Sequence, residues 1–391
     1  MSAKPPLVIL GNPENRRVEF ARHAAESLGW RGVRVVPWRT FLSDPEILID
    51  SLRPDSWLRI ESPGENFEVE KALLRLGAWK AGTDGFERLT PEEADALPFR
   101  QGEILPMRQW HLGWRIALAR VDRCLAEAVR CRAMNPPGDI VVMFDKARCH
   151  EILGLAEVPR PRLLGLPASY EHLREIMRAA GCGRVFLKPC HSSSASGVVA
   201  LETGRTGVRA YSTVEMAGER GRLRLFNSLT VREYRDPRNV TELVDAVCRQ
   251  RSLAERWFPK AGHDGGRFDL RVLVISGRAA HTVMRQSAGP ITNLHLGNRR
   301  GDLEGLRRRM GDDAWRRALE VAERAAATFP TSLYVAVDLL VAPGFHRFAV
   351  AEVNAFGDLL PNLLHEGRDT YTAELARLLE APPAQVSTSG W

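Results

Sequence analysis

The chain has 391 residues, 44% hydrophobic and 26% charged, a composition expected of a folded protein with two or three domains. Its 32 Gly and 24 Pro are scattered without period and only 7% of residues are aromatic, which sets aside collagen-like, mucin-like and prion-like chains. The formal net charge of +7 permits a polyanionic partner, but the 55 Lys and Arg are not bunched, and no apolar run approaches the roughly 18 to 20 residues of a membrane span.

In chain order, 7–10 reads as a buried strand, Gly11-Asn12-Pro13-Glu14-Asn15 as a turn, and 16–28 as a helix with Val18, Phe20, Ala21, Ala24 and Leu28 on its apolar face. Strands at 33–37 and 57–61 follow, the second opening through Ser62-Pro63-Gly64-Glu65-Asn66 into a helix over 67–76. Strand, turn, helix, strand is the signature of a parallel sheet whose ligand crevice lies at the carboxyl ends of its strands. A helix is expected over 115–133, ended by Asn135-Pro136-Pro137-Gly138. The next unit reads as a strand over 140–144, a helix from 146 to about 155, a helix capped by Ser169 and a strand over 185–189. A Ser-rich loop leads to strands near 198–201, 223–227 and 230–234 and a helix over 240–250. The last unit has strands at 268–275 and 279–285, a helix within 303–328, a hairpin from 333 to 354 and a helix near 371–379.

Six cysteines lie apart without a Cys-x-x-Cys pair, which argues for buried thiols over a zinc site or a disulfide framework. The first residues lack the h-region of a secretory signal, so a cytoplasmic location is expected.

The hairpin carries the strongest chemical signal. Two alternating runs flank Pro343-Gly344, and with 344–346 as the loop Asp338 falls directly opposite Glu352, with Asn354 on the same face. Opposed like charges destabilise a sheet. The pair therefore calls for a cation, and three oxygen donors suit one or two Mg²⁺ ions. Upstream, Lys188 ends a buried strand before Cys190-His191-Ser192-Ser193-Ser194-Ala195-Ser196-Gly197. A lysine there acts as a point charge on phosphate, and small residues let backbone N–H groups close over it. Cys190 and His191 are not read as nucleophile and base, because adjacent strand residues face opposite ways. Arg271 and Arg285 are bracketed by apolar residues, where a cation needs an anion: a phosphate, a substrate carboxylate, or Asp269 or Glu352. Only six of the basic residues are lysines, Lys146, Lys188 and Lys260 among them.

Taken in order over 140–380, these segments resemble the ATP-grasp superfamily of ligases, the group of glutathione synthetase, D-alanine–D-alanine ligase and the ribosomal-protein glutamate ligases. The chain looks most like a bacterial group of uncertain substrate within it. The resemblance rests on Phe144-Asp145-Lys146, Lys188 with its loop, Glu255 in Leu253-Ala254-Glu255-Arg256-Trp257-Phe258-Pro259-Lys260, Asp269-Leu270-Arg271, Arg285, Asn293-Leu294-His295-Leu296-Gly297-Asn298, and Asp338, Glu352 and Asn354.

The resemblance implies an α/β and α+β architecture: an N-terminal domain over 1–137, an ATP-grasp N-lobe over 138–254 and a C-lobe with the metal site over 255–391. It implies ATP contacts from Lys146, Lys188, Ser193, Ser194, Ser196, Gly197, Glu255, Lys260 and Asn293, metal ligation by Asp338, Glu352 and Asn354, and catalytic roles for Arg271 and Arg285. Substrate contact from the N-terminal domain is expected at Asn12, Asn15, Glu65, Asn66 or Arg108. The implied reaction joins a carboxylate to an amine through an acylphosphate, with ATP and Mg²⁺ as cofactors and ADP and phosphate as products. Two alternatives stand beside it: a kinase of the same fold acting on a hydroxyl, and an arginine-rich nucleic-acid-binding protein with a vestigial nucleotide site. Aromatics that do not interleave with basic clusters disfavour the last.

Overall fold

The computed structural model describes residues 4–82, 85–205, 207–218, 223–292, 299–356, 360 and 363–380. Its strands form three sheets, taken up in chain order. The first is parallel and joins β1 (Leu7–Gly11), β2 (Arg34–Pro37), β3 (Trp57–Ile60) and β4 (Arg132–Ala133) in the spatial order β2-β1-β3-β4. All of β1 is buried, as expected of a strand covered on both faces. Helices α1 (Arg16–Ser27), α2 (Trp38–Ser43), α3 (Glu46–Ser51), α4 (Phe67–Gly77), α5 (Pro91–Asp95) and α6 (Met107–Glu127) accompany it. Since β2 and β3 lie on opposite sides of β1, the loops after β1 and β3 flank a topological switch point. Asn15 and Asn66 cap α1 and α4 there, accepting the Arg17 and Val69 N–H groups.

Helices α4 and α6 approach through glycine. A Cβ at Gly77 would lie 2.0 Å from the Gln109 carbonyl oxygen, and one at Gly113 1.9 Å from that of Leu73. Backbone cannot yield as a side-chain tip can. Gly113→Ala is therefore expected to push the helices apart and lower unfolding free energy by about 1–3 kcal/mol, read as a lower urea midpoint. An unchanged midpoint would show that the helices separate freely.

Helices α7 (Pro137–Phe144) and α8 (Lys146–Leu155) lead to the second, antiparallel sheet. Its strands β5 (Leu163–Gly165), β6 (Arg184–Pro189), β7 (Val199–Gly204), β8 (Gly207–Ala217), β9 (Arg224–Tyr234) and β10 (Ser252–Arg256) run in the order β5-β10-β6-β7-β8-β9. Leu187, Leu201 and Val214 pack against Leu173 and Met177 of α9 (Tyr170–Ala179) and Leu243 and Val247 of α10 (Pro237–Cys248).

The third sheet holds β11 (Gly262–His263), β12 (Gly266–Ile275), β13 (Arg278–Ser287), β14 (Arg299–Arg300), β15 (Tyr334–Val341) and β16 (Phe348–Asn354). Its order is β14-β13-β12-β15-β16, with β11 beside β12. Val272, Val337 and Leu339 share a core with Leu306 of α11 (Leu303–Met310) and Ala318 and Ala322 of α12 (Asp312–Ala326). On the other side, Leu273 and Tyr334 cluster with β1, α1 and Leu375 of α13 (Thr370–Glu380). A buried ion cluster marks this junction: Arg59 of β3 bonds Glu61 at 2.6 Å and Glu374 at 2.7 Å between the rings of Tyr334 and Tyr371. Burial pushes the Glu374 carboxyl up to about 7 against the opposing pull of Arg59.

Several segments differ from the expected elements, and α2, α3, α5 and β10 arise where none was expected. Residues 137–144 are helical instead of a strand over 140–144: Pro137 occupies the first helical position, and a short apolar run such as Ile140-Val141-Val142-Met143 fits either element. The helix expected over 115–133 runs from Met107 to Glu127, and Arg132–Ala133 joins the parallel sheet. The helix within 303–328 is two, parted at Gly311 with φ at 76°. Strand β8 was not foreseen, and the two short strands over 223–234 are the single strand β9. Among the described residues no helix is long and apolar enough to cross a membrane.

Candidate functional site

Strands β15 and β16 pair Asp338 with Glu352 and Ala336 with Asn354 as expected, but the turn side is one residue off the expected register, Val341 pairing with Phe348 and Leu339 with Val350, and an irregularity between Asp338 and Leu339 makes up the difference. All three polar side chains line one cavity of about 660 Å³, which also takes residues from β6, β10, β12, β13 and the loops after β1 and β3. Strand alternation brings the cations in. Arg271 on β12 lies across from Asp338 and forks onto it, Nε to Oδ1 at 2.6 Å and Nη2 to Oδ2 at 2.9 Å. Arg285 on β13 donates from Nε to Asp269 Oδ1 at 2.6 Å and sets Nη2 3.1 Å from Asp338 Oδ2. Burial alone would raise the Asp338 carboxyl, but the two guanidiniums outweigh it and hold the group below the usual carboxylate range.

Three lysines complete the charge layout. Lys188 donates to Glu255 Oε2 at 2.6 Å. Burial works against its charge, and Glu255 more than restores it, so the ammonium titrates above its ordinary value. Lys146 lies 2.9 Å from Glu352 Oε1 and donates to the Ser192 carbonyl. Lys260 donates to Thr292 Oγ1 at 2.5 Å, Pro290 O at 3.1 Å and Asp269 Oδ2 at 3.3 Å, and its burial lowers it despite Asp269.

Ser193, Ser194 and Ser196 line the cavity on a loop that places Ser194 (φ 53°), Ala195 (φ 60°) and Gly197 (φ 75°) in the left-handed region. Gly197 lies under the loop, where a Cβ would meet Pro189 Cγ at 2.7 Å. The loop's root is fixed from behind. Asp145 caps α8 and accepts from His191 Nε2 at 3.2 Å and Arg251 at 3.4 Å, while His111 stacks on His191 at 4.0 Å.

The oxygen donors of Asp338, Glu352 and Asn354 fit a hard divalent cation. Two carboxylates face each other across strands, and among the described residues the buried Asn354 Nδ2 has no partner that would fix the amide otherwise. His111, Asp145 and His191 also cluster, but their near-parallel rings, 11° apart, keep the two imidazole lone pairs from converging on one ion.

Of the expected substrate residues, Asn15 and Glu65 line the cavity and bond each other at 2.8 Å. Asn12 is buried and donates to Pro63 O and Gly64 O, Asn66 donates to Glu14, and Arg108 lies 5.3 Å from the Phe86 ring and donates to Ala81 O. None of those three is among the lining residues. Asn293 and the loop over 293–298 lie outside the described residues. Asp145, His191, Arg251 and Thr292 are contributions that sequence patterns did not reveal. Their partners across the site are 23 to 106 positions away, so only position near Lys146 or Lys188 hints at the first two.

No protein-family model and no curated protein sequence matches the chain. Solved structures do. D-cycloserine synthetase DcsG is 12% identical with a TM-score of 0.53, covering 95% of this chain and 99% of its own. The ATP-grasp ligase PsnB, complexed with minimal precursor, Mg and ADP, is 15% identical with a TM-score of 0.50 over 96% of this chain and 97% of its own. Carboxyaminoimidazole ribonucleotide synthase from Aspergillus clavatus, complexed with ATP, is 12% identical with a TM-score of 0.52 over 97% and 78%. With three sheets in this order and likeness along nearly the whole chain, the protein has the ATP-grasp fold.

Proposed function

We propose that the protein is an ATP-dependent carboxylate–amine ligase. One observation carries this reading: the three oxygen donors of one hairpin face share a single cavity with Lys146, Lys188, Lys260, Arg271 and Arg285. That layout holds a polyphosphate and one further anion. In this reading the chain divides near 137 and 254, the first part supplying an acceptor wall to the two lobes that enclose the nucleotide.

Lys146 and Lys188 neutralise phosphate oxygens, and the serine loop presents its N–H groups and hydroxyls. Asp338, Glu352 and Asn354 would hold Mg²⁺, which offsets charge on the phosphates. Arg271 and Arg285 orient the substrate carboxylate, whose oxygen attacks the γ-phosphorus as ADP leaves. The amine nitrogen then attacks the acyl carbon of the acylphosphate, the C–N bond forms, the C–O bond to phosphate breaks, and the amine's proton leaves with phosphate or water. Arg271 and Arg285 also face the oxyanion of that step.

Amino acids and peptides screened for ADP release identify the substrates. With the carboxylate substrate present, hydroxylamine is expected to yield a hydroxamate and ADP. ADP without a trappable acyl species would favour phosphoryl transfer to a hydroxyl. Stoichiometric AMP and pyrophosphate would overturn the mechanism.

A further inference from the structure

The cavity is electrostatically uneven. At the nucleotide side its carboxylates meet cations: Glu255 with Lys188, Asp269 with Arg285 and Lys260, Asp338 with both arginines, Glu352 with Lys146. Glu103 pairs with Arg100. Glu65 and Glu70, on the loop after β3 and the first turn of α4, also line the cavity but meet no cation among the described residues. Glu65 accepts from the Asn15 amide at 2.8 Å, and burial raises the Glu70 carboxyl. Beside them Asn12, only 1% exposed, spends its Nδ2 on Pro63 O and Gly64 O and leaves Oδ1 buried without a donor among the described residues. The loops are rich in acceptors, set against the guanidinium of Arg17, which also lines the cavity.

The adjoining wall is aromatic. Trp110, Phe144 and Phe356 line the cavity in sequence, with ring centroids 5.5 Å apart for the first pair and 6.4 Å for the second. Arg17 joins this wall to the acceptor loops, donating to Phe356 O at 3.4 Å from a position two residues after Asn15. Ring faces favour a cation, and a half-buried carboxylate favours one more strongly. A neutral or anionic group would leave Glu70 desolvated without compensation.

Resting on the ligase reading of this cavity, we propose that the substrate at the β1 and β3 loops carries a primary ammonium on a large apolar body, as an apolar amine or amino acid does. Its ammonium sits between Glu65 and Glu70, and its body lies along Trp110, Phe144 and Phe356. Calorimetry on the full chain with Mg²⁺ and a non-hydrolysable ATP analogue tests this with phenethylamine, phenylalanine and the charge-reversed 3-phenylpropionate. At least one amine is expected to bind ten times more tightly than 3-phenylpropionate, and the better of the two identifies whether a carboxylate belongs to the ligand. Glu70→Gln, and the more exposed Glu65→Gln as a second variant, should weaken that amine at least tenfold, with analogue affinity as the folding control. Equal binding of 3-phenylpropionate, undiminished binding by both variants, or no amine binding while the analogue binds would overturn the inference and leave the nucleotide reading standing. Failure of the analogue itself to bind would instead overturn the ligase reading.

Discussion

Asp338→Asn and Glu352→Gln are each expected to lower ADP formation by about 10²–10³-fold, because each removes one of two opposed carboxylates from the proposed cation site. Their effects on folding should differ. Asp338 is 5% exposed and both its oxygens take guanidinium hydrogens, so the amide leaves Arg271 and Arg285 facing a neutral group at a cost of about 3 kcal/mol. The Glu352 side chain is 27% exposed and meets Lys146, and its loss should cost about 1 kcal/mol or less. Urea midpoints separate the two, and near wild-type turnover in either variant would remove that residue from the metal set. Acid adds a further distinction. The Asp338 carboxyl is held below its unfolded value of about 4, so its stabilisation is complete above that pH and drains away as pH falls toward the folded value. Wild type should therefore lose more stability than Asp338→Asn on acidification below about pH 4.

What the sequence made legible follows from which interactions are local. The face shared by Asp338, Glu352 and Asn354 was readable from alternation within each strand, but the Pro343-Gly344 turn did not fix the register: the turn-side pairs are one residue off, and an irregularity between Asp338 and Leu339 brings Asp338 opposite Glu352. Helix α1 and the Ser169 cap of α9 were readable for the same reason, since spacing and cap lie within a few residues. Strand β8 was not: its burial alternates irregularly over 207–217, and a register break near Ser212 disrupts the period. Lys146 and Lys188 stood out against an arginine-dominated chain. The partner of Arg271 was hidden, because β12 meets Asp338 only through β15, 67 positions along the chain. Arg285 met Asp269, one of the anions the sequence offered, through the adjacent β12–β13 pairing. The N-terminal wall was least legible: loop position singled out Asn15 and Glu65 but equally Asn12, Asn66 and Arg108, which the fold uses to tie together segments 27 to 52 positions apart.

Lys188→Arg should weaken nucleotide binding at least tenfold while nearly preserving stability. Lys188 lies at the cavity end of β6, across from Leu253 of β10, and reaches Glu255 in a pair whose side chains are 15% and 6% exposed. Arginine can keep that ion pair, since its guanidinium also bonds a carboxylate, so the fold should hold to within about 1 kcal/mol. The longer stem and planar fork cannot reproduce a compact ammonium at a close phosphate oxygen, which is where the loss should appear. Lys188→Met separates the two roles from the other side. It leaves Glu255 buried without its cation and should cost about 3–5 kcal/mol, and pairing it with Glu255→Gln should recover part of that stability without recovering affinity. Calorimetry with an ATP analogue and Mg²⁺ reads binding, and urea unfolding reads stability. Wild-type affinity in Lys188→Arg, or affinity restored along with stability in the double variant, would reduce Lys188 to a partner for Glu255 and leave the phosphate contacts to Lys146 and the serine loop.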